Sequence, residues 1–215
     1  MFKLIGKCLV YLVLVIGFSS ARAGAYEDFF KAVIGNDAGL VQGLLARGFN
    51  PDSRDEKGQA ALYLAMREGS FKVAEVLLAH PGMHQDLLNA AGESALMMAA
   101  LKGHADWVKR LLDRGARTEG PQALAWTALH YAATGPEPQT VLLLLARGAK
   151  VDARSPNGST PLMMAARYGV EPSVGLLLRQ GADARLSNEA LLTAADFAKL
   201  AGREPLARRL AQAAP

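Results

Sequence analysis

The sequence predicts an all-α solenoid, in which short helix-turn-helix units stack side by side along one axis. A motif returns at a nearly fixed interval through most of the chain, and Gly residues keep step with it. Hydrophobic residues make up 51% of the 215, enough to fold throughout, with Ala and Leu dominating the periodic stretches.

The motif is clearest at Trp126-Thr127-Ala128-Leu129-His130-Tyr131-Ala132-Ala133, a T-x-L-H-x-A-A pattern. Thr127 is suited to cap a helix start by offering its hydroxyl to a free backbone N–H, and His130 to return a hydrogen bond to the same turn. The small alanines let that helix lie close against a neighbour. Equivalent positions fall at Ala60, Ser94, Thr127, Thr160 and Thr193, spaced by 34, 33, 33 and 33 residues. Gly48, Gly82, Gly115, Gly148 and Gly181 each follow an apolar helical stretch, as helix-ending glycines do. Ala65, Ala99, Ala132, Ala165 and Ala198 form another column, and Leu78, Leu111, Leu144, Leu177 and Leu210 a third at 33-residue steps. The one extra residue is expected at His80 or Pro81, where His80-Pro81-Gly82 replaces the Arg-Gly ending of later units.

A unit of turn, helix, helix and Gly-terminated loop cannot bury its apolar stripe alone, so successive units must stack. Together with Gly158-Ser159-Thr160-Pro161-Leu162-Met163-Met164-Ala165-Ala166, Leu176-Leu177-Leu178 and Gly181-Ala182-Asp183, these columns resemble the ankyrin repeat family. The expected organisation is a signal peptide at 1–23 and a repeat domain at 24–215. Within it lie an N-terminal cap at 26–54, repeats at about 55–88, 89–121, 122–154 and 155–187, and a C-terminal cap at 188–213. Leu96, Leu129 and Leu162 of the first helices should pack between neighbours, with Val108, Leu111, Val141, Leu144, Val174 and Leu177 of the second helices. Trp107 falls in a second helix and reads as packing, and one Met of each pair Met97-Met98 and Met163-Met164 should turn inward. Pro136 and Pro138 should stiffen and lengthen one helix-helix connection. Arg203, Arg208 and Arg209 suit an outward face that no further unit covers.

The leader reading rests on a basic start with Lys3 and Lys7, an apolar run from Cys8 to Phe18, and Ala21-Arg22-Ala23 as an A-x-A cleavage site. The run is shorter than the ~20 residues of a membrane span, so no stable anchor is expected after cleavage. Lys3, Lys7 and Arg22 belong to the leader, leaving 21 of the 24 Lys+Arg against all 20 Asp+Glu beyond it. A nearly neutral mature chain gives no case for nucleic-acid binding. The single cysteine, Cys8, also lies in the leader, and a thiol-free mature chain suits an oxidising compartment, here the periplasm.

Four histidines are the candidates for catalysis or metal binding. His130 sits in the turn motif and His104 at the start of a second helix, both structural places. His80 and His84 have i, i+4 spacing, but Pro81-Gly82 breaks the helix between them, and no nearby Glu or Asp is in register with them. No nucleophile elbow, phosphate loop or dinucleotide fingerprint is present. Neither enzyme activity, metal nor cofactor is expected, and a hydrolase or metalloenzyme using His80, His84 or His104 is the disfavoured alternative.

The resemblance implies a concave surface of turn tips and first-helix faces that recognises another protein. Carried over by position, its recognition residues are Gln59, Arg67 and Glu68, then Glu93, Leu101 and Lys102, Trp126 and Thr134, and Ser159, Arg167 and Tyr168. Trp126, Leu101 and Tyr168 stand out, because large apolar groups without a packing duty dominate interface energetics. The chain looks like periplasmic ankyrin proteins of Gram-negative bacteria, some of which are associated with oxidative-stress defence and support of catalase. A monomeric, non-enzymatic binding module in that setting is the leading expectation, and an immunity protein that blocks a periplasm-delivered toxin is the rival.

Overall fold

The computed structural model describes residues 24–120 and 125–213. The leader, its cleavage site and the first residues of the 122–154 repeat lie outside them. Helices pair along the chain: α1 (24–34) with α2 (Ala38–Ala46), α3 (Ala61–Glu68) with α4 (Phe71–Ala79), and α5 (Ala95–Lys102) with α6 (Ala105–Asp113). The remaining pairs are α7 (Ala128–Thr134) with α8 (Pro138–Ala146), α9 (Pro161–Arg167) with α10 (Glu171–Arg179), and α11 (Ala194–Leu200) with α12 (Glu204–Gln212). The first helices α3, α5, α7, α9 and α11 pack on one another in sequence to form an inner row, and the second helices form an outer row.

Burial follows from that stacking. An inner helix has neighbours on both sides and its own partner behind it, so all of Ala61 to Met66 is buried, as is all of Ala95 to Ala100. The alanine column is fully buried at every position, which is what close approach of inner helices requires. Leu96, Leu129, Leu162 and the six second-helix residues expected to pack are buried as well. The expectation for the methionines holds for one pair only: Met164 is partly exposed while Met163 is buried, but Met97 and Met98 both lie in the core.

The repeat register needs one correction. Phe71 and Ala105 begin equivalent helices, so α4 and α6 are 34 residues apart and Leu77, not Leu78, is the partner of Leu111. Leu77 is completely buried, as are Leu111, Leu144 and Leu177. The extra residue therefore lies after α4, around His80-Pro81. Pro81 disfavours a helical residue before it, and His80 is extended at φ −76°, ψ 129°. Gly82 consequently departs from its column. Gly48, Gly115, Gly148 and Gly181 take φ between 81° and 86°, and the following N–H returns into the helix they end, whereas Gly82 does not enter the left-handed region.

The inner-helix starts carry the expected caps, with an unanticipated chemistry. Ser94 and Thr160 accept from the N–H of Met97 and Met163, and each Met sulfur accepts the N–H of Ser94 or Thr160 in return, at 3.4 and 3.3 Å. His130 stands in the same place as these methionines. Its Nδ1 accepts both the Thr127 N–H, at 3.1 Å, and the Thr127 hydroxyl, at 2.9 Å. The hydroxyl of Thr127 thus donates its proton to the ring.

Fingers of hairpin turn precede the inner helices. Asp55, Asn89 and Asn188 each accept two backbone N–H groups of their own finger through a side-chain oxygen. Asp52, Asp86, Glu119 and Asp152 then reach across to an N–H of the next unit, at His84, Arg117, Lys150 and Asp183. Trp107 packs as expected, stacked on Phe71 with centroids 5.5 Å apart, and α6 is tied to α4 by the Arg110–Glu75 ion pair.

The connection through Gly135-Pro136-Glu137 is one residue longer than α3–α4 and α5–α6, though α9–α10 matches it. Gly135 and Gly169 seat these connections against the preceding unit: a Cβ would lie 2.8 Å from the Ala100 carbonyl oxygen in one case and 2.0 Å from that of Ala133 in the other. Arg203 is not the outward residue expected. Its Nη1 donates to the carbonyls of Ala165, Ala166 and Gly169, filling that role for the last unit, while Arg208 and Arg209 are exposed and Arg209 pairs with Glu171.

Candidate functional site

The concave face is built from the exposed sides of the inner helices and the fingers above them. Its last-turn positions run Arg67, Leu101, Thr134, Arg167 and Leu200 along the array. Leu101 and Trp126 meet there. With His130, Tyr131, Thr134 and Met164 they line a depression of about 210 Å³. Trp126 is partly exposed and lies edge-to-face on the His130 ring, 5.2 Å between centroids. That contact orients the indole without covering it.

His130 is held for structure. Its ring is 1% exposed, and with Nδ1 accepting, Nε2 carries the proton and donates to the Ser159 carbonyl at 3.0 Å. Burial pushes its pKa down to about 4, despite backbone acceptors at Ser159 and Ala153. Ser159, one of the carried-over recognition positions, is itself buried, because its carbonyl serves this bond and its N–H is held by Ser155. It offers no surface.

Glu93 is engaged rather than free. Tyr63 and Asn89 donate to one carboxylate oxygen at 2.8 Å each, and Tyr131 donates to the other at 2.8 Å. Burial raises the carboxyl pKa, but the three donors outweigh it and hold the group below its ordinary value. Burial and the Glu93 carboxylate together push both tyrosines up. Three units are stitched across the groove floor by this one side chain.

Gln59, Arg67 and Glu68 form a second local cluster: Arg67 Nε donates to Glu68 at 2.6 Å and its Nη1 to the Gln59 carbonyl oxygen at 2.6 Å. Lys102 is exposed beside Leu101. Tyr168 is 55% exposed and lies outside the depression, with the Arg167 guanidinium over its ring at 5.1 Å. Tyr63, Tyr131 and Met164 belong to the site and were not picked from the sequence. Their signal was available, since all three lie within a turn of the cap residues Ala60, Thr127 and Thr160.

The two histidines of the i, i+4 pair take separate partners. His80 Nδ1 accepts from the Gly82 N–H, while His84 pairs with Asp52, an acid 32 residues away that sequence proximity could not reveal. Among the described residues no group of His, Cys, Asp and Glu is arranged to hold a metal. His104 begins α6, edge-on to Phe71, and burial lowers its pKa against a bond to the Met66 backbone. Among the described residues, no helix is long and apolar enough to cross a membrane.

A family model described as ankyrin repeats (3 copies) matches residues 29–122 and 117–188. The nuclear factor NF-kappa-B p105 subunit of Gallus gallus is 35% identical over 104 residues, 47% of this chain and 11% of that protein. The ankyrin repeat and SAM domain-containing protein 6 of Mus musculus is 36% identical over 83 residues, 38% of this chain and 9% of its own length. An ankyrin repeat-containing protein of Treponema pallidum (strain Nichols) is 33% identical over 90 residues, 42% of this chain and 30% of its own. The similarity thus spans a minor part of each relative, and ankyrin repeats are protein–protein interaction modules. With the stacked units, the capped inner helices and this match over most of its length, the chain belongs to the ankyrin-repeat family.

Proposed function

We propose that this chain is a periplasmic, monomeric binding module that holds another protein in its concave groove, with Leu101 and Trp126 as the principal contacts. One observation carries the groove assignment: two large apolar side chains with no complete packing duty meet in a single depression on that face. Truncating such anchors costs about 2 kcal/mol or more of binding energy. The location draws its support from the leader-like composition of residues 1–23 and the absence of cysteine after Cys8. A role in oxidative-stress defence is supported only by resemblance to periplasmic ankyrin proteins of Gram-negative bacteria.

The test is affinity recovery of partners from a periplasmic extract by the wild type and by Trp126→Ala, Leu101→Ala and Tyr168→Ala. Loss of the recovered band in the first two supports the reading, and undiminished recovery in all three overturns the groove. Cell fractionation, with the mass of the purified chain, checks the location and cleavage after Ala23.

A further inference from the structure

We infer that the groove takes an extended, acidic segment of its partner, with one large apolar side chain set between two carboxylates. The inference rests on the groove reading above and specifies the chemistry of the occupant.

The volume comes first. A depression of about 210 Å³ is smaller than the ~300–1,000 Å³ of small-molecule sites, and suits one side chain better than a whole ligand. Its lining of Leu101, Trp126, Tyr131 and Met164 asks for an apolar one.

Charge then selects what flanks that side chain. The groove's own acids are already satisfied: Glu68 by Arg67, and Glu93 by Tyr63, Asn89 and Tyr131. The cations on either side are not. Among the described residues, neither Lys102 on α5 nor Arg167 on α9 has a carboxylate within ion-pair distance. Arg167 is also positioned, lying over the Tyr168 ring at 5.1 Å and the Phe197 ring at 5.9 Å, which leaves the edge of its guanidinium for a carboxylate.

Register gives the spacing. Packed helices lie ~8–10 Å apart, so α5 to α9 across α7 is roughly 20 Å. A chain in the extended polyproline II conformation rises ~3.1 Å per residue with about three residues per turn, so it covers that in about six and returns side chains three apart to the same face. The apolar residue over α7 is therefore flanked by acids about three residues before and after it.

The test uses labelled nonapeptides with Phe or Ala at the centre and Glu, Gln or Lys three residues to either side, on a Gly/Ser background. Binding to the full mature chain is read by fluorescence anisotropy at low and high salt. The Glu–Phe–Glu peptide is expected to bind at least tenfold more tightly than the Lys–Phe–Lys and Glu–Ala–Glu peptides, and to weaken with salt. Lys102→Glu with Arg167→Glu should invert the charge preference, which a collapsed fold could not do. Equal binding of the Gln or Lys peptides, or of no peptide, overturns the inference. Concentration-dependent self-association in sedimentation, with no peptide bound, would point instead to a second copy of the chain. If Trp126→Ala abolishes partner recovery while the peptides show no charge preference, this inference falls and the groove reading stands.

Discussion

His130 reaches out of its own unit to donate from Nε2 to the carbonyl of Ser159 at 3.0 Å, while Nδ1 faces back to Thr127. Only the neutral ring with the proton on Nε2 satisfies both ends. The array thus contains a joint between neighbouring units that depends on protonation.

The pH dependence follows from the direction of the shift. The folded pKa is about 4, against ~6.5 in an unfolded chain. Because it is depressed, the contribution is complete above ~6.5 and is lost as pH falls toward the folded value, by on the order of 3 kcal/mol. His130→Met imitates Met97 and Met163, keeping the cap but giving up the bond to Ser159. At pH 7 the variant should be less stable by ~1–3 kcal/mol, and by pH 4.5 the gap should narrow. Urea midpoints at both pH values check this, and a constant gap would refute it.

Glu93 should matter through three units rather than one. Glu93→Ala leaves the Tyr63 and Tyr131 hydroxyls without their acceptor and should cost ~1–3 kcal/mol. Its carboxyl is held below the ordinary value, so its contribution is present above that value and fades as pH falls through the folded one. Coupling above ~0.5 kcal/mol between Glu93→Gln and Tyr131→Phe in a double-mutant cycle is the diagnostic result.

Much of this was readable from the residues. A motif that returns at five positions fixes the stacking of helices, because each unit must bury its stripe on the next. Leu101 and Trp126 could both be placed on the concave face from their repeat positions, but not the depression that they share. What escaped was pairing across units: Tyr63 and Tyr131 on Glu93, Asp52 on His84, and Arg203 on α9 join residues 30 to 38 positions apart, and no local pattern marks them. The Leu78 register failed for a different reason. Leu77 and Leu78 are both apolar and adjacent, so spacing alone could not choose between them beside a one-residue insertion.

Two glycines of the same type should respond oppositely to alanine. Gly169→Ala would place Cβ 2.0 Å from a backbone oxygen, and should cost at least ~3 kcal/mol. Gly43 lies inside α2 with open space where a Cβ would go, so Gly43→Ala should stabilise by up to ~1 kcal/mol. Thermal melts of the two variants separate close approach from helix propensity.

Leu191 carries local strain. It stands where other fingers have Gly58, Gly92 and Gly158, takes φ 60°, and is 81% exposed. A left-handed conformation costs an L-residue ~1–2 kcal/mol, so Leu191→Gly should raise stability by ~0.5–1 kcal/mol after the entropy of the freer glycine is counted. A lower denaturation midpoint would mean that the exposed side chain makes a contact worth more than its strain.

Arg203 also shows that seating a connection on the unit before it does not require a glycine. Its guanidinium occupies the α9 carbonyls that, one unit earlier, are approached by the glycine of the following connection. A connection can thus be held either by the close approach that a missing Cβ permits or by a cation that gathers the carbonyl oxygens from a distance. The first solution ties a glycine to its place in the repeat, and the second frees the backbone there and shifts the demand to one long side chain.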